Sequence, residues 1–209
     1  MRTSVYAFVD GLNLYNGLVS KGLRRHLWLD IRSLLQQFCL ANQHLCDVSY
    51  FTARVSGPPE RVSRQTSFLD AVESTGVNIV YGRAERRSTK CPNCKKNWMR
   101  TAEKMSDVAL ASHLLLKAQR DPAGEFWVVS GDSDLVPAVR MAREEYGARV
   151  LIVAPPGRNS DELNGAAAGV LHVRRSWLGR AQFPQTVDLG PGLRVTRPAS
   201  WPQQPSGER

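Results

Sequence analysis

Glu125-Phe126-Trp127-Val128-Val129-Ser130-Gly131-Asp132-Ser133-Asp134 is the stretch on which the fold turns. Its apolar run, bounded by Gly131, reads as a buried strand. Beyond it, Leu135, Val136, Val139 and Ala142 fall on one face of a helical pattern over residues 134–145. Asp132 and Asp134 therefore stand where a strand ends and a helix begins. Two carboxylates one residue apart repel each other and compete for solvation. A divalent cation offsets that cost, because hard cations favour oxygen ligands. The ordinary alternative is capping, with Asp132 or Ser133 closing the helix N-terminus and Asp134 filling its acid-friendly first turn. The stretch by itself leaves both readings open.

Working outward, strands and helices alternate. Apolar residues 5–9 read as a first strand ending in the turn Asp10-Gly11-Leu12-Asn13, followed by a short helix over 14–19. Asp30 can cap a helix carrying Ile31, Leu34, Leu35 and Phe38 inward. Further strands are read at 48–52, 77–81, 149–153 and, more briefly, 170–173. Helices are read at 60–74, at 107–118 behind a Ser106 cap, and at 161–168. Such alternation predicts an α/β fold with a mostly parallel central sheet covered on both faces. Ligands in such sheets bind outside the carboxyl ends of the strands, at the switch point. Asp10 ends the first strand and Asp132 ends the fourth. If those strands are neighbours, the two carboxylates meet in that crevice. Asp107, at a helix start, either brings a third acid to the same edge or complements the helix dipole. Asn13 either positions a phosphate or a water, or bonds its own loop backbone.

The chain has 209 residues and a formal net charge of +9, a surplus that favours phosphate-rich partners. One domain is expected over residues 1–183. Residues 184–209, rich in Pro, Gly and Gln, read as a disordered tail. Within the domain, residues 82–101 form a basic excursion, irregular or a small hairpin. Arg83, Arg86, Arg87, Lys90, Lys95, Lys96 and Arg100 crowd it, with Trp98 among them and Arg54, Arg61 and Arg64 nearby. Basic side chains with an aromatic suit single-stranded RNA; the alternative is a solvated basic surface. Lys104 either touches phosphate or lies on a solvated helix approach.

Cys91-Pro92-Asn93-Cys94 is half a zinc knuckle. No second pair follows at knuckle spacing, so a structural Zn²⁺ would need distant residues or a second chain, which keeps a homodimer open. Four cysteines in a chain of this size do not suggest a disulfide scaffold. No apolar run reaches membrane-spanning length, so no membrane partner is expected and a cytoplasmic location is the default. A nicotinamide enzyme is disfavoured, because no Gly-x-Gly-x-x-Gly follows the first strand. A haloacid-dehalogenase-like phosphatase would need its acid pair there, where Asp10 is followed by Leu12.

Three blocks carry a resemblance. Phe8-Val9-Asp10-Gly11-Leu12-Asn13-Leu14-Tyr15-Asn16, Glu103-Lys104-Met105-Ser106-Asp107-Val108-Ala109-Leu110-Ala111 and Val129-Ser130-Gly131-Asp132-Ser133-Asp134-Leu135-Val136-Pro137 resemble the signature blocks of the NYN domain. That domain is the LabA-like branch of the PIN-like nuclease superfamily, and the resemblance covers roughly residues 3–175. It implies a PIN-like α/β/α sandwich and a site for Mg²⁺ or Mn²⁺ made by Asp10, Asp107, Asp132 and Asp134, with Asn13 in support. It also implies ribonuclease activity. The resulting expectation is an endoribonuclease cutting single-stranded or loop RNA by metal-activated water. A catalytically silent RNA-binding module using the same basic surface is the rival.

Overall fold

The computed structural model describes residues 2–90, 94 and 97–201; of residues 84–90 and 98–103 it describes the backbone. The apolar run after the N-terminus is β1 (Thr3–Asp10), and Asp10 caps α1 (Gly11–Ser20). Asp30 caps α2 (Ile31–Gln36), as its position predicts, and β2 (Gln43–Thr52) follows. Then come α3 (Pro59–Glu73) and β3 (Asn78–Tyr81). The basic excursion is an antiparallel hairpin, β4 (Arg83–Lys90) and β5 (Asn97–Lys104). The chain re-enters the body through α4 (Ser106–Arg120) and β6 (Glu125–Val129). After them run α5 (Val136–Tyr146), β7 (Arg149–Ala154), α6 (Asp161–Ala166), β8 (Gly169–His172) and α7 (Arg175–Arg180).

The central sheet has the order β3-β2-β1-β6-β7-β8, and every neighbouring pair is parallel. The first three strands are laid down outward from β1, and the last three outward from β6. The direction therefore reverses between β1 and β6, which makes their carboxyl ends the switch point. Their register runs from Val5 opposite Glu125 to Val9 opposite Val129, so Asp10 and Ser130 leave the sheet side by side. The condition for Asp10 and Asp132 to meet is satisfied.

Side-chain alternation along the central strands builds two core layers. Val5, Ala7 and Val9 of β1 join Trp127 and Val129 of β6 under α1, α2 and α3. Phe8, Phe126 and Val128 point the other way, against Leu110 and Leu114 of α4 and Val139 and Ala142 of α5. All five residues of β6 are buried. That is why Phe126–Val129 is an unbroken apolar run rather than an alternating one, while the buried Glu125 carboxylate is held by Gln43, Arg149 and the Trp127 indole N–H.

Three expectations are corrected. Ser106 does not cap α4: it is the first helical residue, and Met105 holds the cap position with φ 75°. The cause is a sharp turn out of β5 that presses Ser106 against Gly82, where a Cβ would collide with the Ser106 hydroxyl. The helix expected from Asp134 begins instead with a 3₁₀ turn, Ser133–Leu135, and α5 starts at Val136. The largest correction concerns the tail. Over residues 184–201 the chain is folded, not disordered. β9 (Thr186–Gly190) and β10 (Leu193–Thr196) pair as an antiparallel hairpin. Trp28 donates its indole N–H to the Pro184 carbonyl at 2.7 Å, Val187 is buried, and Trp201 packs against both Trp28 and Phe68. The prolines punctuate turns here, and a few well-spaced apolar residues close the α2–α3 side of the core. Residues 202–209 lie outside the described residues. Among the described residues no helix is long and apolar enough to cross a membrane.

Trp201→Ala should lower the unfolding free energy by about 1–3 kcal/mol, the range for losing a large, partly buried aromatic. Urea denaturation followed by circular dichroism measures it. A solvated tail would leave the midpoint unchanged.

Candidate metal centre

The site is built from two turns that are bonded to each other. In the first, the Asn13 amide N–H donates to Asp10 Oδ1 at 2.9 Å, the bond that caps α1. In the second, the Asp134 N–H donates to Asp132 Oδ1 at 3.1 Å, capping the 3₁₀ turn. Across the seam, the Ser130 hydroxyl donates to Asp10 Oδ2 at 2.9 Å and accepts the Asp132 N–H at 3.1 Å. The Asn13 side-chain oxygen accepts the Gly131 N–H at 3.1 Å. Capping and clustering therefore coexist: the same carboxylates that terminate helices converge on one point. Asp107 reaches that point from the first turn of α4. One carboxylate oxygen each from Asp10, Asp107 and Asp132 lies within 4.8 Å of the other two.

Burial grades across the three. Asp10 is only 6% exposed, Asp132 is half-buried and Asp107 is exposed. Burial pushes the Asp10 carboxyl up to about 6, against the hydrogen bonds from Asn13 and Ser130, with the charges of Asp107 and Asp132 adding to the rise. Asp107 is also raised, first by partial desolvation where the residue, though exposed, faces the crevice, and then by the charges of Asp132 and Asp134. Such a cluster favours either protons or a cation. Three carboxylates are a hard, all-oxygen donor set, which fits Mg²⁺ or Mn²⁺ rather than a thiolate-bound Zn²⁺.

The carboxylates open into a crevice of about 220 Å³ that is otherwise polar, lined by Asn13, Asn16, Lys104 and Arg158 among others. Two of these, Asn16 and Arg158, are not singled out by sequence analysis, and neither is the bridging Ser130. Arg158 comes from the turn after β7. Its buried Nε has no hydrogen-bond partner among the described residues. Its placement depends on two glycines: a Cβ on Gly131 would lie 2.8 Å from the Arg158 carbonyl carbon, and one on Gly17 would lie 2.6 Å from the Pro156 oxygen. Those clashes are the signal in the chain that something packs there, but the partner is far away in sequence.

The remaining expected site residues divide. Asp134 is exposed and stands outside the converging group, acting on Asp107 through space. Lys104 is brought to the crevice. Arg83 is exposed at the base of the hairpin. Arg86, Arg87, Lys90, Trp98 and Arg100 lie on its strands, Arg87 opposite Arg100 and Thr89 opposite Trp98. Cys91, Lys95 and Lys96 lie outside the described residues. Of the Cys91–Cys94 pair expected to hold zinc, only the exposed Cys94 is described.

Residues 4–173 match the NYN domain. The chain belongs to the NYN domain family. This family lies within the PIN-like superfamily, so the NYN chain has a nuclease-like fold, and its acids stand at the switch point of the sheet. The NYN chain is also similar to the 6-hydroxy-3-succinoylpyridine 3-monooxygenase HspA of Pseudomonas putida. The two are 24% identical over 248 aligned residues, spanning 98% of this chain and 77% of that protein. A protein of unknown function from Vibrio parahaemolyticus shares the fold, with a TM-score of 0.57 at 16% identity. The match spans 83% of this chain and 94% of that one.

The Asp10 shift carries a sign. Between its ordinary value of 3.8 and about 6, the folded NYN domain keeps a proton that the unfolded chain releases. Stability of the metal-free protein is thus full below pH 4, falls as the pH rises towards 6 and then levels, by up to about 3 kcal/mol. Asp107 shifts in the same direction. Urea denaturation in chelator between pH 4 and 7.5 should show this decline, and Asp10→Asn should flatten it.

Proposed function

We propose that the NYN domain is a divalent-metal-dependent endoribonuclease acting on single-stranded or loop RNA. The observation that carries this reading is the convergence of Asp10, Asp107 and Asp132 on one point, in a crevice that also presents Lys104 and Arg158. The three carboxylates would hold Mg²⁺ or Mn²⁺. When bound, such a cation supplies an acidified water and neutralises charge developing on a phosphodiester in displacement.

The chain's own residues do the rest. Ser130 and Asn13 fix both oxygens of Asp10 and so set the direction in which it presents its charge. Arg158 and Lys104 line the crevice, where a non-bridging phosphate oxygen would meet their charges, and Asn16 offers an amide beside them. Asp134, exposed beside the cluster, adds negative charge that acts on Asp107 without entering the group. The β4–β5 hairpin brings sequence-independent affinity through its basic residues, and Trp98 offers a base-stacking face. Cys39 and Cys46, thiols outside any disulfide, suit a cytoplasmic setting.

A second reading comes from the relative named as a monooxygenase of a hydroxypyridine. An apolar cavity beside the acidic crevice favours it, since Leu12 lines both. The donor set ranks it second, because the facial set usual in non-haem iron oxygenases is two histidines and one carboxylate.

Labelled single-stranded RNA should be cut with Mn²⁺ and left whole in excess chelator; cleavage that survives chelation rejects the metal mechanism. Asp132→Asn should slow cutting by about 10²–10⁴-fold, the scale of several kcal/mol of lost transition-state stabilisation. The fold should survive, because Asn caps a helix about as well as Asp. RNA that is bound by the native protein but never cut would instead identify a silent binding module.

Arg158→Gln should raise KM more than it lowers kcat if Arg158 grips the substrate phosphate, with Arg158→Lys intermediate. In a binding titration, replacing Arg86, Arg87, Lys95 and Lys96 by Ala should reduce the log–log salt slope by roughly 0.7 for each phosphate no longer neutralised. An unchanged slope would make the hairpin charges a solvated surface.

A further inference from the structure

A second cavity, of about 290 Å³, lies on the other side of Leu12 from the acids. Its inner surface is core: Leu14, Leu18, Leu29 and Leu69 are each 1–3% exposed. Four aromatic rings border it, Tyr15 of α1, Tyr50 of β2, Phe68 of α3 and Trp201 of the folded C-terminal segment. Three arginines also line it. Arg24 and Arg61 are exposed and Arg64 is half-buried, so their charges stand towards solvent while the leucines stand inside.

Helix α3 gives this polarity its geometry. Arg61, Arg64, Gln65, Phe68 and Leu69 all line the cavity, the i, i+3, i+4, i+7, i+8 spacing of one helical face. That face runs from two neighbouring guanidinium groups to an aromatic and then an aliphatic floor. Gln65 is already committed: it donates to the Ala53 carbonyl at 2.9 Å and accepts the Val55 N–H at 2.8 Å, holding the opposite wall. The arginines are not committed in this way. Among the described residues no acid lines the cavity, and no carboxylate forms an ion pair with Arg24, Arg61 or Arg64.

A space bordered by so many well-buried aliphatic groups forfeits dispersion contacts that a ligand of matching shape would restore. The rings favour a flat ligand, the volume limits it to one or two rings, and the guanidinium groups call for an anion with planar, two-oxygen geometry. We propose that this cavity binds a small aromatic carboxylate, its ring seated among Leu18, Leu69, Phe68 and Trp201 and its carboxylate on Arg61 and Arg64. The site is distinct from the acid cluster, whose charge is opposite in sign. It stands whichever reaction the acids perform.

Isothermal titration calorimetry of the full chain in chelator tests this with three probes: 2-naphthoate, its neutral isostere 2-naphthalenemethanol, and adenosine monophosphate. 2-Naphthoate should give a saturable, one-site isotherm and bind about tenfold or more tightly than the alcohol, the value of a charge-assisted pair. The double variant Arg61→Gln/Arg64→Gln, altered at the surface and checked for an unchanged melting temperature, should lose that preference. Trp201→Ala should weaken both naphthalene probes together, because it removes a wall and not a charge. Absence of saturable heat with 2-naphthoate overturns the proposal, as does equal affinity for acid and alcohol, or an affinity indifferent to the double variant. Tighter binding of adenosine monophosphate than of 2-naphthoate also overturns it and assigns the cavity to a nucleotide.

Discussion

A carboxylate buried at the seam between β1 and β6 is the constraint on which the arrangement rests. Asp10 is almost wholly removed from water, and its burial is tolerable because Asn13 and Ser130 each donate to one of its oxygens. Those donors belong to two different strand–helix turns. Satisfying one acid therefore locks the two halves of the sheet in register where they diverge. The same bonds leave the charge only partly compensated, which is why Asp10 holds its proton to about 6. Fold stability and the proton affinity of the acidic cluster draw on the same residue here.

Much of this was legible in the chain. β6 could be read because a strand buried on both faces is apolar along its length, and Phe126-Trp127-Val128-Val129 is such a run. The acids could be read because they follow strand ends or open helices, positions that local sequence defines. The parallel order of the sheet followed from alternation alone. What the chain did not disclose depends on distant contacts. Arg158 reaches the crevice only because Gly17 and Gly131 lack side chains against its turn. Asp134 stands in the motif beside Asp132 as a secondary metal-site acid, yet it is exposed and lies outside the converging group.

The C-terminal segment shows how composition misleads. Proline-rich sequence reads as unable to bury enough apolar area for order. That is true of the segment in isolation. Here the area is supplied by the partner surface, since Trp28 and Phe68 already offer rings and Trp201 needs only to reach them. A short chain with a few apolar residues folds when the rest of the surface has been built for it. Averages over composition do not register that spacing.

The position of Trp201 has a consequence for the order in which the molecule becomes complete. Every strand of the central sheet has been synthesised by His172, and Ser200 and Trp201, which wall the apolar cavity, follow only later. During synthesis from N- to C-terminus, the sheet and its acidic seam can assemble while that side of the core is still open to water. Until Trp201 is synthesised, Trp28 and Phe68 lack the ring that packs on both of them. Those rings gain their C-terminal cover only once Trp201, beyond the β9–β10 hairpin, has been added to the chain.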